Sequence, residues 1–120
     1  MKYLPAGKGQ IINKSDYSKE IIFGLEDFKQ SGHLLQVVTN PAKTRQRLHF
    51  HKIQTEVWYV LSGEAKWVIN GKDYNVKPGD SFIIEPGDLH QADNTSNKDL
   101  KILAFKINLP ENDEDFYLPK

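Results

Sequence analysis

The 120-residue chain contains no cysteine. A disulfide framework is thereby excluded, as is catalysis by a thiolate nucleophile, and the absence fits a reducing compartment. Net charge is missing as well: sixteen basic residues balance sixteen acidic ones, so no overall field recruits nucleic acid or an anionic membrane. No apolar run approaches the roughly 20 residues of a membrane-spanning helix, and residues 1–9 hold none long enough for a signal peptide. These absences lead us to expect a cytoplasmic protein with neither a nucleic-acid nor a membrane partner. There is no serine in a nucleophile-elbow context and no glycine loop of the phosphate-binding kind. Arginine is scarce, with two residues against fourteen lysines, and both arginines fall in one short segment as Arg45 and Arg47.

What the chain does have is turn chemistry at short intervals. Segments of strand-forming residues at 10–13, 20–25, 33–39, 45–51, 56–61, 65–69, 74–76, 81–84 and 100–108 are separated by Ser31-Gly32, Asn40-Pro41, Ser62-Gly63, Asn70-Gly71, Pro78-Gly79 and Pro86-Gly87. Asn70-Gly71 is the strongest hairpin signal, because a two-residue type I′ turn needs positive φ at both central positions. Residues 26–30 have room for one helical turn at most. Strands spaced by about 8–12 residues predict an all-β sandwich or barrel with little or no helix. At this length the chain makes one domain over residues 1–120, burying roughly two-thirds of its unfolded surface. We divide it into N-terminal strands (1–30), a core barrel (31–108) and a C-terminal tail (109–120). In the tail an acidic run of Glu111, Asp113, Glu114 and Asp115 precedes the apolar Phe116, Tyr117 and Leu118. It reads either as a solvated end or as an apolar segment docked on a neighbouring sheet or subunit.

The stretch from residue 49 to 63 carries the chemistry. On an extended strand His49 and His51 project to the same side, with Phe50 opposite. Glu56 begins the next apolar run and can return toward the two rings if residues 52–55 bend. Two nitrogens and an oxygen meeting at one point suit a borderline divalent cation. A second stretch, residues 79–94, brings His90 just past the Pro86-Gly87 turn.

Together the two stretches resemble the two-part signature of the cupin superfamily. His49-x-His51, four residues, Glu56, six residues and Gly63 match the first part. Gly79, Gly87, His90 and Asn94 match the second, which departs once: the usual proline position holds Glu85, and the proline follows as Pro86. The resemblance implies a double-stranded β-helix, the jelly-roll barrel of a small single-domain cupin. It implies a metal site of His49, His51, Glu56 and His90, open to manganese, iron, zinc, nickel or copper, and a homodimer packed through N-terminal strands. Gly63, Gly79, Gly87 and Asn94 are read as turn residues rather than ligands, and His33 as lying off the pattern.

Strand parity further suggests that Arg45, Arg47, His49 and His51 form one row. A guanidinium fork suits carboxylate or phosphate, so Arg47 and Arg45 are candidate substrate-binding residues. Trp58, sharing parity with Glu56, is a candidate cavity wall. No catalytic residue is assigned beyond Glu56 as a candidate. The resemblance implies a metal-dependent enzyme of dioxygenase, isomerase, epimerase or lyase type on a small polar or anionic metabolite, or alternatively a non-catalytic module that binds a small molecule or sugar.

Overall fold

Alternating apolar and polar residues fold into twelve strands in the computed structural model, which describes residues 1–112 and 115–117. They are β1 Gln10–Asn13, β2 Ser18–Phe23, β3 Leu34–Asn40, β4 Thr44–Arg45, β5 His49–His51, β6 Thr55–Ser62, β7 Ala65–Ile69, β8 Lys72–Val76, β9 Ser81–Ile84, β10 His90–Asn94, β11 Leu100–Ile107 and β12 Asp115–Tyr117. One six-stranded sheet runs in the order β1-β2-β3-β11-β6-β9. The other runs β12-β5-β10-β7-β8, with β4 also paired to β10. These two antiparallel sheets are the expected double-stranded β-helix. The helical turn at 26–30 is a single 3₁₀ turn, Leu25–Asp27, closed where Asp27 Oδ2 accepts from the Gly24 amide at 2.8 Å. Among the described residues no helix is long and apolar enough to cross a membrane.

Period-two patterning fixes which side chains point inward. On β11 the buried row is Leu100, Ile102, Ala104 and Lys106; on β6 it is Glu56, Trp58 and Val60; on β10 it is His90, Ala92 and Asn94. Register then aligns the rows, pairing Glu56 with Lys106, Trp58 with Ala104 and Val60 with Ile102. The apolar ends of the rows join Trp67, Ile69, Val76 and Ile84 in the core, where each large side chain contributes about 1.5–3 kcal/mol by leaving water. The polar ends collect at the opposite end of the barrel. Register thus separates core from site.

The turns behave as their residues dictate. Asn70 and Gly71 have φ of 51° and 78°, the two positive values of a type I′ hairpin. Asn94 is a turn residue: its amide donates to the carbonyls of Asn40 (3.0 Å), Pro41 (3.2 Å) and Lys98 (2.9 Å). His33 stacks on Phe105, with ring centroids 5.6 Å apart.

One expected strand is broken. Residues 45–51 are not continuous, because Gln46 intrudes on β10: its amide N–H donates to Ala92 O at 2.8 Å and its side-chain oxygen accepts from Ala92 N at 3.2 Å. The next amide, that of Arg47, turns away to Asp16 Oδ2 at 2.8 Å. At the far end of the chain β12 pairs with β5, setting Phe116 opposite Phe50 and Tyr117 opposite His49. The Phe50 and Phe116 rings stack at 5.5 Å. Asp113, Glu114 and Leu118 lie outside the described residues.

Candidate metal centre

The centre is built where β5 meets the start of β10. His49 and His51 come from alternate positions of β5, and His90 stands opposite His49 in the ladder. One ring nitrogen from each of the three lies within 4.8 Å of the others, and all three residues are buried. Backbone carbonyls orient two of the rings: His49 Nδ1–H donates to Arg47 O and His90 Nδ1–H to Asp88 O, both at 2.8 Å. Those bonds place the proton on Nδ1 and leave Nε2 as the accepting nitrogen. His51 is held differently. The Gln54 amide donates to its Nδ1 at 3.1 Å, and its Nε2 stands 2.7 Å from Glu56 Oε1.

Glu56 joins the cluster through His51, and its other oxygen accepts from Trp58 Nε1–H at 3.0 Å. Burial is the largest single influence on its carboxyl and would raise its pKa. The His51 contact, the Lys106 charge and the Trp58 N–H together outweigh burial and hold Glu56 well below the usual carboxylate range. His90 is lowered as well. Burial first, and the neighbouring His49 second, lower it to about 4 against the raising effects of the Asp88 carbonyl and the Glu56 charge. His90 is therefore a neutral imidazole at pH 7.

A divalent transition ion fits these residues. Three buried imidazoles with clustered nitrogens, two of them fixed with accepting Nε2 atoms and one beside an ionised carboxylate, form the borderline donor set that such ions favour. Beside them lies a cavity of about 60 Å³. Trp58, Trp67, Val38 and Ile102 give it an apolar wall. Lys19, Lys106, Gln36, Gln46 and Tyr17 give it a polar one.

His49, His51, Glu56, His90 and Trp58 all line this cavity, brought together from β5, β6 and β10. The two arginines do not. With 66% of its side chain exposed, Arg45 stands 3.8 Å from Asp93 Oδ2, and the Arg47 guanidinium lies 4.7 Å over the Tyr117 ring. The expected arginine row fails because the break at residues 46–48 destroys the parity on which it rested. Reasoning from sequence missed Lys106, Lys19, Gln36, Gln46 and Gln54. For Lys106 a signal existed: it occupies the inward phase of an otherwise apolar row.

Comparison with known proteins settles the family. Residues 36–106 match the family described as cupin domain. The chain is a cupin. Its relatives include the oxalate-binding protein of Thermotoga maritima, 32% identical over 116 residues, covering 84% of this chain and 96% of that one. The crystal structure of a predicted oxalate decarboxylase from the same organism superposes with a TM-score of 0.72 at 29% identity, covering 84% of this cupin and 92% of that chain. The polyketide cyclase RemF from Streptomyces resistomycificus has a TM-score of 0.80, covering 100% of this cupin and 88% of its own chain. At 17% identity it shares the fold alone.

Proposed function

We propose that this cupin holds a divalent transition metal on His49, His51 and His90, with Glu56 as a fourth ligand, and acts there as an enzyme on a small polar or anionic metabolite. The observation that carries this reading is the buried cluster of three imidazoles and one ionised carboxylate opening on a cavity that also contains lysines. Manganese, iron, nickel, zinc and copper all accept such ligands. When bound, the ion supplies Lewis-acid polarisation of a substrate oxygen or, if redox-active, dioxygen chemistry. Around it, Trp58 holds one oxygen of Glu56 in place, the carbonyls of Arg47 and Asp88 fix two rings, and the tryptophan wall excludes water. Glu56, ionised and engaged by His51 and Trp58, is suited to ligation rather than to proton transfer.

A second reading, binding without turnover, is favoured by the small volume of the cavity and by the relative that binds oxalate. Metal content of tag-free, chelator-free protein, measured by plasma mass spectrometry beside a His49→Ala, His51→Ala variant, tests the shared premise. About one metal per chain, lost in the variant, is expected. A chain that takes up no metal after reconstitution above pH 7 overturns both readings. Stoichiometric ligand binding without product would then separate the module from the enzyme. We also propose the homodimer packed through its N-terminal strands, to be checked by light scattering.

A further inference from the structure

His49 and His90 are fixed by the same device. Each begins a strand, and each gives its Nδ1–H to the carbonyl two residues earlier, Arg47 O and Asp88 O, both at 2.8 Å. A regular strand does not offer that bond, because its carbonyls lie in the plane of the sheet while its side chains stand perpendicular to it. The chain must leave the sheet just before the ligand. It does so twice, since residues 46–48 and 85–89 belong to no strand. His51 is the converse case: the carbonyl two residues before it is that of His49, inside β5, and its Nδ1 meets Gln54 instead.

Backbone outside a ladder needs other partners. Before His49, the peptide unit joining Gln46 to Arg47 is gripped at both ends. Gln91 Nε2 donates to Gln46 O, and Arg47 N–H donates to Asp16 Oδ2, each at 2.8 Å. Asp16 comes from the β1–β2 turn, 31 positions away, which is closed by Lys14 N–H donating to Tyr17 O at 2.8 Å. Before His90, the turn closes on itself, with Asp88 N–H donating to Glu85 O at 3.0 Å and Glu85 N–H to Asp88 Oδ2 at 2.9 Å. Asn70, at the tip of the β7–β8 hairpin, then ties that turn down. Its backbone N–H donates to Leu89 O (2.8 Å), its side-chain oxygen accepts from Leu89 N–H (2.9 Å), and its side-chain amide donates to Asp88 Oδ1 (3.0 Å).

We infer that Asp16 and Asn70 are positioning residues of the metal centre: from two remote turns they hold the segments whose carbonyls set the tautomer and the aim of His49 and His90. The inference rests on the metal-site reading above and extends it outward, since neither residue lines the cavity. A carboxylate accepting from a backbone N–H makes a charge-assisted bond, about twice as strong as a neutral one, and this lets Asp16 compete with water for the Arg47 amide. Asn70 serves twice. Its positive φ of 51° makes the hairpin turn, which glycine would make as well, but glycine has no side chain to bind Asp88 and Leu89.

The test is chelator competition for cobalt(II) in wild type, Asp16→Ala, Asp16→Asn and Asn70→Gly, with the visible absorption spectrum of each loaded protein and urea unfolding of each metal-free one. Asp16→Asn keeps an oxygen acceptor, and Asn70→Gly keeps the turn. Asp16→Ala and Asn70→Gly should each lower cobalt affinity about tenfold, the lower end of the loss seen when a hydrogen-bond partner of a metal ligand is removed, and should shift the ligand-field bands. Asp16→Asn should recover most of the affinity and the wild-type bands. A lower stability alone leaves those bands in place, so a folded variant with wild-type affinity and spectrum overturns the role of the residue it replaces, however easily it unfolds. The two residues lie on different turns, so misfolding of one variant leaves the other to decide. A wild type that binds no cobalt is a different result, which overturns the metal-site reading and this inference with it.

Discussion

His51 differs from the other two imidazoles in a single bond. Carbonyl oxygens can only accept, so His49 and His90 are confined to the tautomer that offers Nε2 to a metal. Gln54, buried at 2% exposure, can donate or accept at His51 Nδ1. In the arrangement seen, its N–H points at Nδ1 and its own oxygen is buried without a partner among the described residues. Metal ligation by His51 Nε2 calls for the reverse, with Nδ1–H donating to the Gln54 oxygen. We therefore expect Gln54→Leu to weaken metal binding by about 10–100-fold, and Gln54→Glu, which keeps an acceptor at that place, to recover most of the loss. Chelator-competition titrations would give the affinities, and unfolding of the metal-free variants would separate packing from ligation. Equal affinity in wild type and Gln54→Leu would refute the role. None of this was legible in the sequence, because Gln54 meets His51 across an irregular bend whose side-chain directions no periodicity encodes. Of the four proposed ligands, His49 and His51 were legible from a strand spacing that fixes their side, whereas Glu56 and His90 were placed by the resemblance to the cupin signature.

Among the elements, turns were easier to read than strand continuity. Asn70-Gly71 specifies its hairpin locally, since positive φ at two successive residues admits few other sequences. The break between β4 and β5 depends on Gln46 competing for the backbone of β10, forty-six positions away, and no local pattern reveals that. Two glycines show how far local reasoning reaches. A β-carbon added to Gly71 (φ 78°) would meet nothing within 4 Å, whereas at Gly63 (φ 87°) the same atom would sit 2.3 Å from Asp99 O and 3.0 Å from Leu100 Cα. Gly71→Ala should therefore cost about 1–2 kcal/mol, the left-handed penalty alone. Gly63→Ala adds a backbone collision between the β6–β7 turn and the start of β11, and should cost at least about 1 kcal/mol more. Urea unfolding of the two variants measures the difference. Equal losses would mean that the β6–β7 turn moves aside freely, and that Gly63 is present only for its dihedral angles.

On the scale of the whole molecule, the barrel confines ionisable groups that its folding must keep in particular charge states. The sign follows from His90. Its folded pKa of about 4 lies below its ordinary 6.5, so between those values the unfolded chain binds a proton that the folded chain refuses. Stability of the metal-free protein must then rise with pH across that window and fall as acid is added. Above 6.5 both states carry neutral His90 and the effect vanishes. Glu56 acts lower: its carboxyl is depressed in the fold, so the stability it contributes is present above its ordinary 4.5 and is lost as pH falls below that value. Glu56 changes nothing between 6.5 and 4.5, so the His90 contribution across that interval, read as the difference between wild type and His90→Gln, should be about 2–3 kcal/mol at 1.4 kcal/mol per pH unit. Chelator-treated protein, unfolded in urea at half-unit steps of pH, would show this slope, and His90→Gln should flatten it while leaving the fall below 4.5. Equal slopes from 6.5 to 4.5 in wild type and His90→Gln would mean that the buried ring takes up its proton without resistance, against the direction that its burial dictates. Saturating metal should steepen the same profile, because protons and the ion compete for the imidazole nitrogens.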